Sequence, residues 1–149
     1  MSSPFRIAAA LCVFTLPAMS TTARAQDRDL VPPTPNCASC AEWNRPHEPV
    51  KLYGNSYYVG TNGLSALLVT SPDGHVLIDG ALPESAPLIR RNIEALGFRL
   101  RDVKLILNSH AHNDHAGGIA WLAERSGATV AAMPASARWM ERGNSTDDD

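Results

Sequence analysis

The sequence predicts an α/β fold in which helices pack on one sheet. Three observations carry this. Two β-rich runs meet at Ser71-Pro72-Asp73-Gly74, a strong turn signal. The apolar spacing then changes from strand-like to helical after Pro83. Finally, short apolar strands alternate with helical stretches up to Arg142.

The elements follow in chain order. Arg6 and the apolar run from Ile7 to Met19 read as the n- and h-regions of an export signal, and Ala23-Arg24-Ala25 supplies a small-x-small cleavage site. That run is too short for a membrane-spanning helix. Cys12 follows Leu11 rather than a small residue, so lipidation is set aside. Residues 1–25 are therefore expected to be a leader, removed after Ala25 in export to the periplasm. Its loss would shift the formal charge from −2 to −4. No membrane association is expected after cleavage, and the absence of a basic surface argues against nucleic acid.

Residues 26–49 show neither period and read as an N-terminal arm. The arm carries Cys37 and Cys40, a pair that fits a disulfide in an oxidising compartment. Either cysteine could also pair outside this sequence. From residue 50 a domain is expected to begin. Ser56–Gly60 and Ser65–Thr70 are β-rich, and His75–Asp79 returns as a hairpin partner. Leu82, Ala86, Ile89, Ile93 and Leu96 lie on one helical face, and Gly97 stops the helix. Val103–Asn108 reads as a strand, Ile119–Arg125 as a helix, Thr129–Met133 as extended, and Ala135–Arg142 as a helix.

At the end of the Val103–Asn108 strand stands His110-Ala111-His112-Asn113-Asp114-His115-Ala116-Gly117-Gly118, which holds three of the chain's five histidines. In an extended segment, residues two apart share a side, so His110 and His112 can converge on one ion. Asp114 and His115 follow a bend and can face a second. Imidazole and carboxylate are zinc-type donors. A lone His-x-His is usually a polar surface feature, and a single structural zinc is an intermediate reading. The complete cluster, at a strand's carboxyl end and before a Gly-Gly helix start, points to a metal site. Two ions would activate water and polarise an electrophile, so metal-assisted hydrolysis is the expected class. Gly117 and Gly118 are expected to permit a tight turn and close approach. His47 and His75 have no partner in the motif and receive no role.

The run His110–Gly118 resembles the signature of the metallo-β-lactamase superfamily. Trp43–Pro46, Tyr53–Thr61, Gly63–Ala66, His75–Ala81 and Asn108–His112 resemble the third subclass of class B β-lactamases more narrowly. The resemblance implies the N-terminal half of an αββα sandwich over residues 50–149. It implies that His110 and His112 bind a first Zn2+, that Asp114 and His115 bind a second, and that Asp114 orients the hydroxide attacking a β-lactam carbonyl. Asp79 resembles a carboxylate that braces the metal loop. The family adds one further histidine to each ion, and no histidine follows His115. The chain is thus expected to be an incomplete enzyme, with one sheet face lacking its partner, and to bind zinc weakly alone. The implied partner is a small β-lactam; nothing bears on oligomeric state. A thioesterase or lactonase of the same fold, and a non-catalytic zinc-binding fragment, remain as alternatives.

Overall fold

The computed structural model describes residues 31, 33, 34 and 36–143. The expected leader and its expected cleavage site lie outside these residues. Six strands form one sheet in sequence order: β1 (Val50–Tyr53), β2 (Ser56–Tyr58), β3 (Leu67–Val69), β4 (His75–Ile78), β5 (Val103–Leu107) and β6 (Thr129–Ala131). The first four pair antiparallel, while β4–β5 and β5–β6 pair parallel. Parallel neighbours need a crossover. Here α2 (Ala86–Ala95) joins β4 to β5, and α3 (Asn113–Ala116) with α4 (Ile119–Ser126) joins β5 to β6. A final helix runs from Pro134 to Arg142.

The expected α/β layout is present, with helices packed on one sheet. The hairpin forms as read, with Leu68 opposite Leu77 and Val69 opposite Val76. The helical stripe is also observed. Ala86, Ile89 and Ile93 are fully buried, and Leu82 nearly so. Burying each large aliphatic side chain contributes about 1.5–3 kcal/mol. Gly97, at φ +86, stops the helix in a conformation that glycine adopts without strain.

One register step separates the two sheet faces. Leu68, Leu77 and Ile106 lie side by side and are fully buried in a core that includes Ile89, Ile93, Ile119 and Leu122. Their neighbours Leu67, Val69, Val76, Ile78, Leu105 and Leu107 project to the other face and are half-buried.

The arm departs from expectation. It was expected to carry no period, yet Cys40–Trp43 forms a one-turn helix, α1. Cys37 and Cys40 are bonded to each other, and Cys40 is buried in the core. Backbone bonds from Gly63 N–H to Trp43 O and from Asn62 N–H to Arg45 O, both 2.9 Å, dock the arm on the β2–β3 connection. Such partners are invisible to periodicity because they lie about twenty residues away. Strand β1 was also not foreseen: all four of its residues are exposed, so it offers no buried alternation to read. Among the described residues no helix is long and apolar enough to cross a membrane.

Candidate metal centre

The motif begins where β5 leaves the sheet. Asn108 N–H still donates to Ala131 O of β6 at 2.9 Å, and its side-chain amide donates to His110 O at 2.5 Å. Ser109 turns toward the end of β4. Its N–H donates to Asp79 Oδ1 at 2.8 Å, and its hydroxyl donates to Asp79 Oδ2 at 2.5 Å. His112 is extended, at φ −62 and ψ 153, and precedes the one-turn helix α3. Its carbonyl accepts from the N–H groups of His115 and Ala116 at 3.0 and 2.8 Å. Asp114 and His115 therefore stand on a helical turn, past the bend that the spacing predicts.

The loop is clamped by the β4 end. Gly80 N–H donates to His115 O at 2.8 Å, and Gly118 N–H donates to Ala81 O at 3.1 Å. Asp79 and Ala81 flank Gly80 at φ +62 and +54. Such left-handed non-glycine residues are held by their surroundings and cluster at functional sites. The two motif glycines do only part of what was expected of them. Gly117 and Gly118 have φ −57 and −86, which any residue adopts, so no special turn is needed. Their use is close approach: a Cβ on Gly118 would collide with Gly80 O, and one on Gly117 would lie 2.5 Å from Asn113 O.

The four donors gather. The rings of His110 and His112 meet edge to face at 4.0 Å, and those of His110 and His115 at 5.5 Å. His115 Nε2 lies 3.7 Å from Asp114 Oδ2. His115 Nδ1 is 3.0 Å from Asp79 Oδ2. They do not close around a point, however. Among the described residues no three His, Cys, Asp or Glu side chains are arranged to hold one metal ion. The imidazoles pack on one another instead of diverging around a centre.

The donor chemistry nonetheless fits a divalent cation. His112 Nε2 is buried and has no hydrogen-bond partner. A buried polar nitrogen without a partner is costly, and a metal would satisfy it. Asn108 Oδ1 is buried in the same condition, and sequence reasoning gave this residue no role. Its advance signals were its place between an apolar strand and the first histidine, and its membership of the Asn108–His112 run. A cavity of about 540 Å3 lies behind the loop, walled in part by Ala111, Ala116, Ile119, Trp139 and Met140. None of the four donors lines it. His75 accepts from Ser71 N–H at 3.3 Å and packs edge-on against Phe98, so it is a strand residue with local partners.

A family model described as the metallo-beta-lactamase superfamily matches residues 53–145. The solved structure of Rm3 metallo-beta-lactamase is 62% identical, with a TM-score of 0.74, over 77% of this chain and 43% of its own. MEM-A1, a subclass B3 metallo-beta-lactamase isolated from a soil metagenome library, is 55% identical, with a TM-score of 0.68, over 70% of this chain and 40% of its own. SMB-1, solved with mercaptoacetic acid, is 47% identical, with a TM-score of 0.69, over 72% of this chain and 42% of its own. The chain thus spans about two-fifths of the length of these proteins.

Proposed function

The chain belongs to the metallo-beta-lactamase superfamily, and on that premise we propose that a protein carrying it, together with the remaining length of such enzymes, hydrolyses the amide bond of β-lactam antibiotics with zinc. The observation that carries the reading is the gathering of His110, His112, Asp114 and His115 at the carboxyl end of β5, with His112 Nε2 buried and unpartnered.

The residues divide the work by chemistry. His110 and His112 offer imidazole nitrogens to one Zn2+. Asp114 and His115 offer a carboxylate and an imidazole to a second. What two zinc ions supply when bound is Lewis acidity toward the lactam carbonyl and a water acidic enough to lose its proton near neutrality. Asp114 would accept a hydrogen bond from the attacking water and orient it. Asp79 holds His115 by Nδ1, which leaves Nε2 as the donor. The residues that grip the antibiotic are assigned to the remaining length of such enzymes. Export through the leader at 1–25 belongs to the same proposal and places the activity in the periplasm.

The test is nitrocefin turnover by the longer protein with zinc present; its absence would sink the lactamase reading. Asp114→Asn should reduce turnover roughly 10²–10⁴-fold with the fold retained. Full activity in that variant would refute the role of Asp114.

A further inference from the structure

One contact joins three segments that the chain keeps far apart. Thr34 lies in the N-terminal arm, Glu84 in the turn Pro83–Ser85, and Asn113 inside the metal motif. The Thr34 N–H donates to Glu84 Oε1 at 3.0 Å, and its hydroxyl donates to Glu84 Oε2 at 3.0 Å. Asn113 Nδ2 then donates to Thr34 Oγ1 at 3.2 Å. The hydroxyl is therefore used in both directions, as donor to the carboxylate and acceptor from the amide. Two bonds to one carboxylate fix the direction of Thr34 as well as its distance.

The loop needs such a hold. Helix α3 is a single turn of four residues. Helix nucleation is unfavourable, so an isolated turn has almost no stability of its own. Its order must come from tertiary anchors. Asp79 and Gly80 anchor it at His115. At its first residue, Asn113, the side-chain anchor is Thr34. The turn carrying Glu84 presses from the same direction, since Pro83 Cδ would lie 2.5 Å from a Cβ on Gly117.

We infer that Thr34, held by Glu84, is a positioning residue for the metal loop, acting on His112 and Asp114 through the Asn113 that lies between them. The inference rests on the reading of these residues as metal ligands. It gives the arm a part in the site although none of the arm's described residues is one of the four donors.

Two variants test it. Thr34→Val keeps the shape and removes the hydroxyl, whereas Thr34→Ser keeps the hydroxyl. Amide hydrogen exchange of the metal-free chain reads the loop at His115 and Ala116, whose N–H groups close on His112 O. A titration with Co2+ reads the donors. Thr34→Val should speed exchange at both amides and weaken Co2+ binding, each roughly two- to tenfold, the worth of one hydrogen bond. Thr34→Ser should restore both. Unchanged exchange in Thr34→Val overturns the strap. Faster exchange with unchanged Co2+ affinity makes Thr34 merely structural and overturns the positioning role. A parent chain that binds no Co2+ overturns both the ligand reading and the positioning role, whereas exchange alone still decides whether the strap exists.

Discussion

Asp79 Oδ2 accepts a hydrogen bond from His115 Nδ1 at 3.0 Å across a separation of 36 residues. An ionised carboxylate can only accept, so this contact places the proton of a neutral imidazole on Nδ1 and leaves the Nε2 lone pair free. The same buried carboxylate also holds Ser109 by its N–H and its hydroxyl. One side chain thus fixes both ends of the loop that carries the metal donors.

Asp79→Ala should therefore affect fold and site together. Ser109 and His115 would lose their shared charged acceptor, the buried Asp79 carboxylate. A loss of about 3 kcal/mol in urea unfolding is expected, with metal affinity falling roughly 10–100-fold. Stability and Co2+ affinity both equal to the parent would show that the brace is idle.

Zinc should stabilise the chain itself. A ligand that binds only the folded state at 100 times its Kd adds about 2.7 kcal/mol. The melting temperature should rise with added zinc and return on chelation. His112→Ala should shrink the rise, because it removes the unpartnered Nε2. A melting temperature indifferent to zinc would mean that the donors do not act as a set.

Gly118→Ala should destabilise by about 1–3 kcal/mol. Its Cβ would meet Gly80 O, with Leu82 O at 3.0 Å and the Ala86 methyl at 3.1 Å. Backbone on two sides cannot give way as a flexible side chain would. Gly127→Ala is the contrast. It sits at φ +72 with nothing within 4 Å, so only backbone strain, about 1 kcal/mol, opposes it. Denaturant midpoints for the two variants should differ in that order.

Asn92 should prove costly to remove. Its side-chain amide donates to Val59 O at 3.0 Å, Gly60 O at 2.9 Å and His47 O at 3.1 Å. It is buried on α2 and ties the arm and the end of β2 to the helix. Asn92→Ala leaves buried carbonyls without a donor, at about 1–3 kcal/mol. An unfolding midpoint within error of the parent would contradict this.

Alkaline pH should weaken the fold through Tyr58. Burial raises its phenol above the ordinary value of 10.0, with the Ser65 hydroxyl opposing in part. The phenol donates to Thr61 O at 2.5 Å and Leu64 O at 2.9 Å. The folded chain keeps this proton to higher pH than the unfolded chain. Its contribution is therefore complete below about pH 10 and declines as pH climbs through the raised folded value. Urea midpoints measured between about pH 9 and 12 should fall more steeply for the parent than for Tyr58→Phe. Parallel curves would refute the assignment.

The readable parts of the molecule are those whose cause is local. Ala86, Ile89 and Ile93 repeat at helical spacing, and that spacing alone puts them on one face. The Ser71–Gly74 turn brings β3 and β4 together with almost no choice of register. His110, His112, Asp114 and His115 are consecutive enough that a strand end followed by a bend must gather them. Asn92 was not readable, because a polar residue beside an apolar stripe is usually solvated. Nor were α1 and its docking readable, since Trp43 and Gly63 share no pattern. Gly117 and Gly118 were visible as glycines, but their reason was not: the turn does not require them, whereas the backbone of Gly80 and Asn113 does.

By itself the sequence determined the α/β order, the helical and hairpin elements, the donor types and their spacing, because these follow from the geometry of neighbouring residues along a chain. Only the tertiary structure decided that Asp79 and Gly80 clamp His115, that the Cys37–Cys40 arm joins the core, and that Thr34 reaches Asn113. Those contacts are made between residues about twenty to eighty positions apart, and only the assembled sheet with its helices brings such groups within hydrogen-bonding distance.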